Sequence, residues 1–224
     1  MCVQVAAPFG RTETPPMKSP AAFQHERRYG SPDQRLIHER ELRVVRELLR
    51  GRARPREILD SPCGYGRLAR LIQELEPERV VFLDRNPARL EALTARQIEG
   101  ARLQGDLLAG LPLREGAIEL SFCFRLLQHL RSAQHRMATL RELRRVTRGA
   151  LISSYYRAGG LHQLSQHLGY QLTLRRSQPL SFLDPAQLAD EAAAVGWRLV
   201  ADRAALPGLH AQRVILLEAV EPPA

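Results

Sequence analysis

The sequence is short of several residue types. It has one lysine, Lys18, one tryptophan, Trp197, three cysteines, and aromatic residues at only 5% of its 224 positions. Cys2, Cys63 and Cys123 stand at unrelated spacings, which makes neither a disulfide framework nor a metal site. No apolar run approaches the ~20 residues that span a bilayer. The first residues lack the charged-then-apolar order of a secretory signal. These absences lead us to expect a reducing, cytoplasmic setting, with no metal and no membrane attachment. There is no internal repeat and no sign of a second folded unit.

What is present is ordinary globular material. Hydrophobic residues make up 44% and charged residues 25% of the chain, enough for a well-buried core at this length. The net charge of +9 comes almost wholly from arginine. A basic surface is compatible with nucleic acid or anionic substrates. The arginines, however, are interspersed with Glu and Asp along helical segments, and few aromatics accompany them. A solvated basic surface is the favoured reading over RNA binding.

Along the chain, residues 1–24 hold four prolines and no apolar period, and are expected to be a disordered leader. Ser31-Pro32-Asp33-Gln34 has the form of a capping box, with proline at the first helical position. A cap helix over 31–50 follows, with Leu36, Ile37, Val44, Val45, Leu48 and Leu49 as its apolar stripe and Gly51 as its stop. Strands are predicted at 57–60, 79–84, 101–106, 117–124, 150–155, 197–201 and 213–220. Helices are predicted at 68–76, 86–98, 132–147 and 184–195. Alternation at this spacing gives βαβ crossovers and a parallel sheet. Residues 158–180 form a polar connection between the last crossover elements, with helical character around 161–168.

One stretch organises the rest: Ile58-Leu59-Asp60-Ser61-Pro62-Cys63-Gly64-Tyr65-Gly66-Arg67-Leu68-Ala69. It reads as a strand ending in an acid, a glycine turn and a helix start. Gly64 and Gly66 lack a Cβ, so the backbone there can turn sharply and approach a ligand. The helix that follows aims unpaired N–H groups at whatever lies over the loop. Gly64-x-Gly66-x-x-Ala69 formally fits the dinucleotide fingerprint. Asp60 at the strand end, though, would repel a pyrophosphate and attract an ammonium or sulfonium group.

That combination resembles motif I of the class I S-adenosylmethionine-dependent methyltransferases, over about residues 35–220. The resemblance implies an α/β, Rossmann-like, seven-stranded, mostly parallel sheet with helices on both faces and the last strand antiparallel. It implies one methyltransferase domain over 25–224, and S-adenosylmethionine as cofactor. Residue by residue, Asp60 matches the acid near the cofactor's amino acid portion, and Cys63, Gly64 and Gly66 match the loop beneath it. Asp84, 18 residues after Gly66 at the second strand's end, matches the acid that takes both ribose hydroxyls, with Arg85 beside it. Asp106 and Leu107 match the pair beside adenine. Phe124 matches the residue whose backbone carbonyl meets the methionine amine. A nicotinamide-dependent oxidoreductase and a catalytically silent module of the same fold are the competing readings.

The acceptor side is less legible. Phe124-Arg125-Leu126-Leu127-Gln128-His129-Leu130 resembles the family's segment after the fourth strand, which makes His129 the candidate base. Arg125 is a candidate to orient an acidic substrate or to form a salt bridge. Tyr29, Tyr155 and Tyr156 fall where the family's lid and substrate residues lie. Arg157, Arg175 and Arg176 are candidates to meet an anionic substrate, or to be solvated. There is no Asn-Pro-Pro-Tyr or Asp-Pro-Pro-Tyr after strand four, which argues against adenine-amine methylation. The expected reaction is methylation of an oxygen or nitrogen of a small molecule, with RNA or protein as the alternative acceptor.

Overall fold

The computed structural model describes residues 32–159, 163 and 180–220. The leader, Tyr29, Ser31 and most of the 158–180 connection lie outside them. Seven strands, β1 (Glu57–Asp60), β2 (Arg79–Asp84), β3 (Ala101–Gln104), β4 (Ile118–Cys123), β5 (Thr147–Tyr156), β6 (Trp197–Ala204) and β7 (Gln212–Ala219), form one sheet. Their order is β3-β2-β1-β4-β5-β7-β6. β1 to β5 run parallel, and β7 inserts antiparallel to both β5 and β6.

Successive strand residues point to opposite faces, and here both faces are buried. Ile58, Phe82, Phe122 and Ile152 pack on one side; Leu59, Leu83, Cys123 and Leu151 pack on the other. That is why these strands read as unbroken apolar runs instead of alternating ones. Helices α1 (Pro32–Leu49), α2 (Ala69–Glu74) and α3 (Pro87–Ala95) cover the first face through Val44, Val45, Leu71, Ile72 and Leu93. Helices α4 (Ala133–Val146) and α5 (Pro185–Ala193) cover the second through Leu140, Leu143, Leu188 and Ala192. Three helix starts are capped as their residues dictate. Asn86 accepts from Ala88 N, Ser132 from His135 N, and Asp184 from Ala186 N, each worth about 1 kcal/mol.

The structure departs from the sequence expectations at element ends and at one stripe. α2 is shorter than 68–76, and α3 stops at Ala95, with Glu76 (φ 51°) and Gln97 (φ 54°) turning into the left-handed region beyond them. β3 ends at Gln104, so Asp106 stands past the strand. β5 begins three residues earlier than expected, at Thr147. On α1, Leu36 is 45% exposed, whereas Glu41 is fully buried. The inward stripe therefore runs Ile37-Glu41-Val44-Val45-Leu48, with an acid in the middle. No described helix is long and apolar enough to cross a membrane.

Candidate functional site

The carboxyl ends of β1 to β4 open into a cleft of about 700 Å³, at the point where the strand order reverses between β1 and β4. Ligands of open α/β sheets bind at such a switch point. The loop after β1 is pinned on both sides of that gap: Ser61 N donates to Phe122 O at 2.9 Å and Cys63 N to Leu83 O at 2.8 Å. Asp60, Cys63 and Gly64 line the cleft, as do Asp84, Arg85, Asp106 and Leu107, and Phe124 on the β4 side. One hollow thus gathers the three acids that end or follow β1, β2 and β3.

The two glycines do different work. Gly64 has φ 56°, and a Cβ there would meet nothing within 4 Å, because the position faces the open cleft. Gly66 has φ 73°, but a Cβ would fall 2.5 Å from Leu93 Cδ2 and 2.8 Å from Ile98 Cδ1. Gly66 is not on the cleft wall. It lets the loop press against α3.

The acids differ in their surroundings. Asp60 is 1% exposed, and its Oδ2 has no hydrogen-bond partner among the described residues, nor does Ser61 Oγ beside it. Burial pushes the Asp60 carboxyl well above its ordinary range; Arg67 pulls it down and Asp84 pushes it further up. Asp84 is fully buried. It accepts from Gly64 N at 3.0 Å, from Asn86 N at 2.9 Å, and from Arg89 Nη1 at 3.2 and 3.3 Å. Asp106 Oδ1 accepts from Leu108 N at 3.0 Å, which closes its own turn. Burial also raises the Cys63 thiol, so the side chain is a packed, neutral group and not a thiolate nucleophile.

The remaining wall of the cleft is built from α1, the turn after β4 and the end of β5. Arg125 has φ 57°, a left-handed conformation uncommon for a side chain of this size. Its N donates to Ser154 Oγ at 2.8 Å, and its guanidinium reaches Gln34 at 3.2 Å and Glu41 at 3.3 Å. Arg67 also pairs with Glu41 and donates to His38 Nδ1 at 3.2 Å. The buried Glu41 therefore ties α1 to both flanks of the cleft. Arg125 meets the salt-bridge expectation while still lining the cleft. His129 sits exposed on the rim, at the end of a short 3-10 turn, Leu127–His129.

The neighbouring tyrosines part company. Tyr156 lines the cleft and packs against Phe182 at a tilt and His210 edge-on, at 5.6 and 5.5 Å between ring centres. Tyr155 points to the opposite face, fully buried, and donates to Asp202 Oδ2 at 2.7 Å. It does not reach the cleft, because β5 sends alternate side chains to opposite faces. Among the lining residues that escaped the sequence reading are Arg89, and the buried Gln128 and Thr139, whose Oε1 and Oγ1 have no partner among the described residues. No local pattern marks the last two. Arg89 has a faint signal, being a cation in a helix's first turn, where the helix dipole disfavours it.

A seven-stranded sheet in this order, with acids converging on its switch point, defines the class I methyltransferase fold. Residues 58–149 match the family model for a methyltransferase domain. Among solved structures it is similar to magnesium protoporphyrin IX methyltransferase (ChlM) from Synechocystis PCC 6803, solved with bound SAH. That match has 15% identity and a TM-score of 0.69, covering 90% of this chain and 95% of that one. It is similar to the pyocyanin biosynthetic protein PhzM, with 18% identity and a TM-score of 0.61, covering 91% of this chain and 60% of that one. The third similarity is to a Haloferax volcanii complex of the Trm112 methyltransferase activator with a methyltransferase, at 12% identity and TM-score 0.68, covering 92% and 99%. A search of curated protein sequences returned no match.

Proposed function

We propose that the cleft binds S-adenosylmethionine along the strand ends and transfers its methyl group to an oxygen or nitrogen of a small molecule. The observation that carries the reading is the convergence of Asp60, Asp84 and Asp106 on one hollow that Gly64 leaves open. In this placement Asp84 accepts the ribose hydroxyls, Asp106 the adenine amine, and Asp60 faces the cofactor's ammonium, with the Phe124 carbonyl on the other side. The unpartnered oxygens of Asp60 and Ser61 fit a donor-rich group, since buried acceptors without partners are costly. Arg85 and Leu107 flank ribose and adenine, and Cys63 shapes the floor.

Bound S-adenosylmethionine supplies an electrophilic methyl group on sulfur. The chain then has to align the acceptor at about 3 Å and keep water out. Arg125 and Tyr156 orient the acceptor from one side, and His129, at the rim, takes the proton when the nucleophile is a hydroxyl. A small-molecule acceptor is supported by the names of two similar proteins, a protoporphyrin methyltransferase and a pyocyanin biosynthetic protein. The cysteine usage supports a cytoplasmic location.

Calorimetric titration with S-adenosylhomocysteine tests the placement. We expect binding, weakened by about 1–3 kcal/mol in Asp84→Asn, where one ribose hydroxyl loses its acceptor. Unchanged affinity in that variant removes Asp84 from the site.

A further inference from the structure

A carboxylate offers about four lone-pair positions, and in this structure all four at Asp84 are engaged. Gly64 N and Asn86 N take one on each oxygen, at 3.0 and 2.9 Å. The other two face a single nitrogen, Arg89 Nη1, at 3.3 Å from Oδ1 and 3.2 Å from Oδ2. The two backbone donors are fixed by the fold. The shared arginine contact is the longest of the set, and it comes from a side chain still 31% exposed. A ribose with two hydroxyls to place on this carboxylate meets a position already taken.

Arg89 is also poorly placed for its own helix. It stands in the first turn of α3, which holds no acid, and there the helix dipole disfavours a cation. Its guanidinium lies 5.8 Å from the centre of the Tyr65 ring, at the edge of the same hollow. The ring contact is made already and can deepen when the arginine leaves the carboxylate, since a guanidinium over an aromatic face keeps part of its electrostatic stabilisation.

We propose that Arg89 is an affinity-setting residue. It satisfies Asp84 while the ribose corner is vacant, and it must swing off the carboxylate, toward Tyr65, for the ribose hydroxyls to bind. This rests on the assignment of Asp84 to the ribose. Arg89 stabilises the ligand-free protein by pairing an otherwise uncompensated buried charge. For the same reason it lowers cofactor affinity, and it helps expel the product S-adenosylhomocysteine after turnover. Its effect opposes that of an ordinary binding residue, whose loss weakens the ligand.

The test is titration of S-adenosylhomocysteine into the full chain and into Arg89→Met. The expected result is binding tighter by about two- to fivefold, the strength of a partly exposed ion pair, together with a lower melting temperature of the ligand-free variant. Should Arg89→Met fold poorly, Arg89→Gln, which is shorter and polar, is expected to tighten binding in the same direction. An analogue of S-adenosylhomocysteine without the 2′- and 3′-hydroxyls should show no tightening in either variant, because it does not compete for Asp84. Unchanged or weaker binding of S-adenosylhomocysteine to the arginine variants overturns the proposal, as does equal tightening of the deoxygenated analogue. Asp84→Asn separates the two failures. If it binds normally, the ribose assignment has failed; if it binds weakly while the arginine variants do not tighten, only the role of Arg89 has.

Discussion

Replacing each motif glycine with alanine separates folding from ligand binding at two positions only two residues apart. Gly64 and Gly66 both have positive φ, so either substitution carries the left-handed strain of about 1–2 kcal/mol. At Gly66 the added methyl also meets Leu93 and Ile98 at 2.5 and 2.8 Å. Both neighbours are buried, so accommodation moves α3 or the loop, at about 1–3 kcal/mol. The total for Gly66→Ala is about 2–5 kcal/mol, and the melting temperature should fall by about 5–15 °C. Gly64→Ala meets nothing and should lose only the strain. Its methyl, however, projects into the cleft that the ligand has to fill. Melting curves and calorimetric titration with S-adenosylhomocysteine then give a crossed result. Gly66→Ala loses stability and, when folded, binds nearly as the parent does; Gly64→Ala stays close to the parent in stability and binds at least tenfold more weakly, about 1.4 kcal/mol. If Gly64→Ala binds with parental affinity, no ligand passes over that backbone, and the placement of the cofactor is wrong.

Two predictions concern titrating groups. Burial raises the Asp60 carboxyl above its ordinary 3.8, so its contribution to stability is whole below that pH and is lost as pH rises toward the folded value. Ligand-free Asp60→Asn should therefore melt higher than the parent at neutral pH, with the advantage vanishing in acid, and an advantage independent of pH refutes the burial account. His129→Ala should lower turnover by ~10²–10⁴ and erase one limb of the pH profile, with cofactor affinity nearly intact. A retained limb assigns the proton elsewhere.

Much of the fold was legible because it rests on local signals. Acids after apolar strand runs, Asn86-Pro87 and Asp184-Pro185 at helix starts, and Gly196 (φ 85°) after α5 each act within a few residues of themselves. The same locality explains the proposed cofactor side, where Asp60 and Asp84 end their strands and Gly64 and Asp106 stand within four residues of theirs. What stayed hidden depends on partners distant in sequence. Glu41 is buried because Arg67 and Arg125, 26 and 84 positions away, converge on it, and an acid inside an apolar stripe gives no hint of that. Tyr155 and Tyr156 are indistinguishable as letters. Only the register of β5 against β7 turns one toward the cleft and the other toward Asp202. The separate work of Gly66 needed the positions of Leu93 and Ile98.

The strand order has a consequence for how the two ends of a bound nucleoside are held. β1, which carries Asp60, is flanked by β2 and β4. β3 is an edge strand of the sheet, paired with β2 alone, and Asp106 follows it by two residues. Edge ladders open at lower free energy than central ones. Amide exchange at Arg102 and Leu103 should accordingly outrun exchange at Leu59, and equal protection at the two strands would contradict this. With the cofactor placed as proposed, the cleft holds one end of it against a stiff floor and the other against a compliant margin. Departure is then expected to begin at the adenine, with the atoms nearest the transferred methyl group the last to lose their surroundings.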